Sequence, residues 1–143
     1  MINDVIADPL AVANELRPVL LRLARELRKE TDGLGVTSRQ VTLLWLIRHQ
    51  PGLSLRELAA AERISAPALS GHVDRLVKAG FVLRVRDERD RRRVGLELTE
   101  EGLRVLKRVR ARRTSWLADR LRGLEPAEVD AIEAAIEPLG RLL

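Results

Sequence analysis

The residues with the clearest chemical capability are six arginines between positions 84 and 93. A guanidinium stays charged at neutral pH and donates hydrogen bonds in a planar fork that fits phosphate oxygens, so the cluster is suited to anion binding. Residues 65–113 hold fourteen Lys or Arg and seven Asp or Glu, whereas the net charge of the whole chain is only +5. This segment therefore predicts an anionic partner, with a solvated Arg-rich surface as the alternative.

A segment with helical periodicity immediately precedes the arginines. Leu69, Val73, Leu76 and Val77 predict the buried stripe of a helix from Ser65 to Ala79. The remaining faces carry the candidate binding residues, which are Ser65, Pro67, Ala68, Ser70, Gly71, His72, Arg75 and Lys78. An ordinary amphipathic helix with a solvated face is the alternative.

These side chains are of the types that contact DNA. Arg75 suits a phosphate or the edge of a guanine. Ser70 and His72 can donate or accept hydrogen bonds at base edges, and Ala68 can contact a thymine methyl. The wide major groove admits such a helix, so duplex DNA is the anionic partner that this face favours.

The neighbouring elements are those needed to position that helix. Ser54 and Glu57 have capping-box spacing and begin a short helix, which ends at a tight turn before Ser65. Phe81–Arg86, with Val82 and Val85 as candidates for burial, and Val94–Leu98 predict two strands joined by a charged loop. Two short helices followed by a basic hairpin are typical of a winged helix-turn-helix.

The rest of the chain is predicted to be helical. A first helix over residues 10–30 contains Pro18, which should kink it or mark a fresh start. Another runs from Thr37 to Gln50, and a long one follows Thr99 to about Arg122. The expected fold is mainly α with a small β-hairpin wing (α+β), as one structural domain.

The two ends of the chain carry apolar stripes that one small winged domain cannot cover. These stripes predict a homodimer, and their residues are Leu16, Leu20, Leu23 and Leu27 near the N-terminus and Val129, Ile132, Ile136 and Leu139 near the C-terminus. The predicted division is an N-terminal dimerisation helix over 1–36, a DNA-binding lobe over 37–99 and C-terminal dimerisation helices over 100–143.

Three pieces of sequence together resemble the MarR family of bacterial regulators. Val73–Val82 is similar to the end of the family's recognition helix and its first wing strand. Asp90-Arg91-Arg92 and Leu96–Gly102 are similar to its wing signature. The flanking helices agree in number and order, so the resemblance covers nearly the whole chain. It implies a two-fold dimer with two winged lobes facing DNA.

The resemblance also implies roles for single residues. Asp74 is expected to hold Arg92 in a structural ion pair, and Arg91 at the wing tip is expected to enter the minor groove. The other wing residues assigned to DNA are Arg84, Arg86, Arg89 and Arg93. Many relatives carry Arg or another long polar residue where this chain has Gly71, so its operator is expected to differ from theirs.

A small-molecule effector, often an anionic aromatic, is a further implication of the resemblance. Arg22, Trp45 and Arg48 are its candidate contacts, although Trp45 could equally be a core residue and the arginines surface charges. The proposed activity is a repressor that binds a palindromic operator as a homodimer and is released by such an effector. A non-specific architectural DNA-binding protein is the main alternative, and a helical scaffold for an acidic protein is another.

Other classes of protein find little support in the sequence. There is no Gly-rich phosphate loop or nucleophile elbow, so an enzyme is not expected. The chain has no cysteine and only two histidines, His49 and His72, on different predicted helices, so neither a metal nor a cofactor is expected. No apolar run approaches the length of a membrane span, and a cytoplasmic protein is expected.

Overall fold

The computed structural model describes residues 6–86, 88–90 and 94–143. In chain order the elements are helices α1 (Pro9–Lys29), α2 (Ser38–His49), α3 (Leu55–Glu62) and α4 (Ala66–Lys78), strands β1 (Val82–Arg86) and β2 (Val94–Leu98), and helices α5 (Glu100–Arg122) and α6 (Pro126–Gly140). The predicted fold, mainly helical with one hairpin, is confirmed.

Side-chain caps determine where helices α2, α3 and α4 begin. The backbone amide of Gln40 donates to Oγ1 of Thr37 at 3.1 Å, while the Thr37 amide donates to the Gln40 side chain at 2.9 Å. Ser54 and Ser65 accept in the same way from the third amide of α3 and α4. Each cap satisfies a donor that the helix leaves unpaired, which contributes about 1 kcal/mol.

Helix α1 departs from one expectation. It continues through Pro18 from Pro9 to Lys29, so the predicted fresh start near Arg17 does not occur. Proline removes a single backbone donor, and that loss does not end a helix when the turns on both sides remain hydrogen-bonded.

The chain forms two compact units. One spans Thr31–Ala111, and the other consists of α1 with Arg112–Leu143. The first unit contains the hydrophobic core, whose members come from α2, α3, α4, both strands and the start of α5: Val41, Leu43, Leu44, Ile47, Leu58, Ala59, Leu69, Val73, Leu76, Val82, Leu96, Val105 and Val109. Aliphatic side chains fill this core, as the near absence of aromatic residues requires.

The antiparallel hairpin has one face toward that core. Val82 lies opposite Leu98, and Arg84 lies opposite Leu96. Val82 and Leu96 are buried, whereas Val85 is exposed. The expected burial of Val85 is therefore wrong, because side chains alternate along a strand and Val85 lies on the face opposite to Val82.

In the second unit, a guanidinium supports the end of α1. Nε of Arg113 on α5 donates to the carbonyl oxygen of Leu27 at 3.2 Å. Partial burial, and to a smaller extent the charge of Arg28, lowers the pKa of Arg113. Among the described residues, no helix has the length and apolar character that crossing a membrane requires.

Candidate nucleic-acid interface

Helices α3 and α4 form a helix-turn-helix with a strained turn. Arg63 ends α3 in the left-handed conformation, with φ 53° and ψ 42°. It is the single non-glycine residue with positive φ in the described part of the chain. This conformation costs an arginine about 1–2 kcal/mol. The predicted tight turn at Glu62-Arg63-Ile64 is confirmed, and the residue in the left-handed conformation is an exposed cation.

The exposed face of α4 carries short residues in its first two turns. Pro67 and Ala68 are exposed, and a Cβ atom built on Gly71 would meet nothing within 4 Å. Ser65, Arg75 and Lys78 are exposed as well, while Ser70 and His72 are half-buried. The predicted buried stripe is confirmed at Leu69, Val73 and Leu76, and Val77 is half-buried beside it.

Two polar residues of this helix form a side-chain pair. Nη2 of Arg75 lies 3.1 Å from Nδ1 of His72, one helical turn earlier. A guanidinium has donors and no acceptor, so His72 must accept at Nδ1.

An ion pair joins α4 to the hairpin. A guanidinium nitrogen of Arg84 on β1 donates to Oδ1 of Asp74. Arg84 shares the face of β1 that carries buried Val82, and this orientation directs its side chain toward α4. Asp74 thus pairs with Arg84, which was predicted to contact DNA rather than Asp74. The predicted partner, Arg92, lies outside the described residues, so that pairing stays a prediction.

Four further arginines of the hairpin were predicted to contact DNA. Arg86, at the end of β1, and Arg89 are exposed. Arg91 and Arg93 lie outside the described residues, so their assignments to DNA stay predictions. The described part of the hairpin thus carries Arg86 and Arg89 at its surface in addition to Arg84.

The base of the hairpin is fixed by close backbone packing. Oγ1 of Thr99 donates to the carbonyl oxygen of Gly80 at 2.5 Å, and the Thr99 amide donates to that of Phe81 at 3.1 Å. Gly102, in the first turn of α5, lies so close that a Cβ would overlap the Phe81 carbonyl oxygen. This requirement for glycine was not predicted. Its signals were an isolated glycine inside a helical pattern and the resemblance of Leu96–Gly102 to a wing signature.

The candidate effector residues belong to different units. Arg22 is exposed on α1. Trp45 on α2 is 50% exposed and stacks on His49 with ring centroids 4.4 Å apart, and Arg48 on the same helix is exposed. Trp45 is thus not a core residue. Among the described residues, no group of three or more metal-ligating side chains is placed to hold a metal ion.

Comparison with known proteins adds independent information. A model of the MarR family matches residues 36–94. The HTH-type transcriptional regulator BilQ of Clostridium symbiosum is 31% identical over 116 residues, which cover 81% of this chain and 78% of that protein. A crystal structure of a proposed transcriptional regulator from Pseudomonas aeruginosa has a TM-score of 0.80 and 31% identity, covering 93% of this chain and 94% of that one.

A structure containing nucleic acid has the same fold. It is a variant of the S. aureus protein MepR bound to an oligodeoxyribonucleotide. Its TM-score is 0.69 at 21% identity, with 92% of this chain and 97% of that chain covered.

Proposed function

The chain belongs to the MarR family of DNA-binding transcriptional regulators, and from this premise we propose that it is a repressor. It would bind a palindromic operator as a homodimer and be released by a small-molecule effector. Its place of action would be the cytoplasm.

One observation carries the DNA-binding part of this proposal. The exposed face of α4 adjoins a cationic hairpin, and the Asp74–Arg84 ion pair links the two elements. A recognition helix and a wing that are linked in this way can enter neighbouring grooves together. MepR, which has the same fold, binds an oligodeoxyribonucleotide, and this supports DNA as the partner.

Apolar side chains on the terminal helices support the homodimer. Leu20 on α1 is 43% exposed, and Ile132 and Ile136 on α6 are 43% and 63% exposed. Leu16, Val129 and Leu139 are half-buried on the same helices. A second copy of the chain would remove these side chains from water. Sedimentation at micromolar concentration should give the mass of a dimer, and a monomer would contradict the proposal.

Selection from a random duplex library tests the operator. A two-fold dimer should enrich an inverted repeat with half-site centres about 10 bp apart. Affinity should fall steeply with salt, because each neutralised phosphate releases a counterion. Enrichment of no common sequence would instead favour a non-specific architectural DNA-binding protein.

The wing-tip assignment is tested on the selected duplex. Arg91→Ala should lose most affinity where the half-sites are flanked by A·T tracts, whose narrow minor groove has an enhanced negative potential. Equal losses of affinity on A·T-rich and G·C-rich flanks would mean that Arg91 contacts only phosphate.

Release by an effector is supported by family membership alone. Trp45 offers a probe, because its half-exposed indole should change fluorescence when an aromatic carboxylate binds nearby. Titration with benzoate derivatives should shift this signal and dissociate the labelled operator together. Arg22→Ala and Arg48→Ala should each weaken both effects, and Trp116→Phe removes the fluorescence of the other tryptophan as a control.

A further inference from the structure

We propose that His72 is a positioning residue that orients the guanidinium of Arg75, so that Arg75 recognises a guanine in each operator half-site. The inference rests on the proposed DNA-binding function and adds to it a specific base and the residue that selects it.

The chemistry of the pair gives His72 a single role. Arg75 can only donate, so in the contact of 3.1 Å between Nη2 and Nδ1 the imidazole nitrogen accepts. A cationic imidazole would be a donor at both nitrogens and would repel the guanidinium. The contact therefore occupies one N–H of Arg75 and leaves four for another acceptor.

The position of the His72 ring on α4 allows it to restrain the Arg75 side chain. His72 lies three residues after Leu69 and four before Leu76, and both of these leucines are buried. On a helix this spacing places the ring at the border of the buried stripe, where it is half-buried. Arg75 is exposed one turn further on. A half-buried ring thus restrains a long side chain that would otherwise sample many rotamers.

The exposed face of α4 carries two long donors, Arg75 and Lys78, and its other residues are short. Pro67, Ala68 and Gly71 are short, and the space beyond Gly71 is open. A helix with such a face can approach the groove floor closely. Arg75 is the single arginine of α4, and the nearest wing arginine on β1, Arg84, is engaged by Asp74.

Guanine is the base that fits a pre-oriented guanidinium. Its O6 and N7 atoms are two adjacent acceptors in the major groove, and a guanidinium can donate to both at once. A restrained arginine suits this contact better than a phosphate contact, since a phosphate tolerates many orientations and needs little preorganisation.

The test uses the duplex selected by the intact protein. Each guanine is replaced in turn by 7-deazaguanine, which lacks the N7 acceptor, and competition binding is measured by fluorescence anisotropy. At one guanine per half-site the wild type should lose about 10-fold in affinity or more, as expected for a broken bidentate contact. Arg75→Ala should bind duplexes with guanine and with 7-deazaguanine at that position with equal affinity, and it should lose the difference at no other position.

The role of His72 is tested with two variants. His72→Leu retains apolar volume but offers no acceptor, and it should reduce the preference for guanine by about 3- to 10-fold, the effect of an unrestrained side chain. His72→Asn presents Oδ1 near the position of Nδ1 and should restore most of it. Lys78→Ala, as the control, should weaken binding to all duplexes equally.

The outcomes separate this inference from the proposed function. If selection enriches no duplex, the proposed function itself fails. If a duplex is enriched but His72→Leu keeps the wild-type preference for guanine, the positioning role is wrong. If 7-deazaguanine is tolerated at every position, or Arg75→Ala weakens all duplexes equally, recognition of guanine by Arg75 is wrong. Thermal melting of each variant shows whether the helix-turn-helix is intact, and His72→Ala, which also lacks the acceptor, replaces the Leu variant in the same comparison should the Leu variant be unfolded.

Discussion

Gly102→Ala is the substitution for which the structure makes the sharpest prediction. The added Cβ would overlap the carbonyl oxygen of Phe81 and lie 3.2 Å from the Phe81 carbonyl carbon. Both are backbone atoms, so neither can move by a change of rotamer. The same carbonyl oxygen accepts the hydrogen bond from the Thr99 amide, and displacing it weakens that bond.

The expected magnitude follows from three opposing effects. Overpacking a close contact costs about 1–3 kcal/mol. Weakening the Thr99 hydrogen bond costs about 1 kcal/mol. Alanine in a helix gains about 1 kcal/mol over glycine. The free energy of unfolding should therefore fall by about 2 kcal/mol, which lowers Tm by roughly 6–8 °C for a chain of this size.

Gly71→Ala is the matched control, measured by the same thermal and urea unfolding. It too replaces a helical glycine, but its Cβ would meet nothing within 4 Å. It should therefore stabilise the protein by up to about 1 kcal/mol. If Gly102→Ala raises Tm as Gly71→Ala does, the close approach of α5 to Phe81 does not exist.

Three further predictions concern the ion pair, the turn and the subunit interface. Asp74→Ala should weaken operator binding although it removes a negative charge, and Arg84→Ala should do the same. The double variant should bind no worse than either single variant, and tighter binding by Asp74→Ala would refute the link between α4 and the hairpin. Arg63→Gly should relieve the left-handed strain and raise the free energy of unfolding by up to about 1 kcal/mol. If Arg63 contacts a phosphate, the same substitution should lower the slope of log affinity against log salt by about one unit, and an unchanged slope would mean that it contacts none. Ile136→Asp should shift sedimentation toward the monomer at micromolar concentration, with Glu137→Ala, its exposed neighbour, as the control that should not.

The elements and their ends were predictable because they depend on neighbours in sequence. Thr37 with Gln40, and Ser65 alone, lie within three residues of the amides they cap. The burial of Leu69, Val73 and Leu76 follows from the helical period. The winged helix-turn-helix was therefore available from local rules, together with the residue types on the exposed face of α4.

The tertiary structure decided which residues meet across elements. The exposure of Val85 depends on which face of β1 packs on the core. The pairing of Asp74 with Arg84 depends on the same choice, and six arginines within ten residues offered no local way to select one. The need for glycine at 102 depends on how closely α5 approaches Phe81. Capping and periodicity act between residues a turn apart, whereas these contacts join residues 10 and 21 positions apart, and their geometry is fixed only once the core is packed.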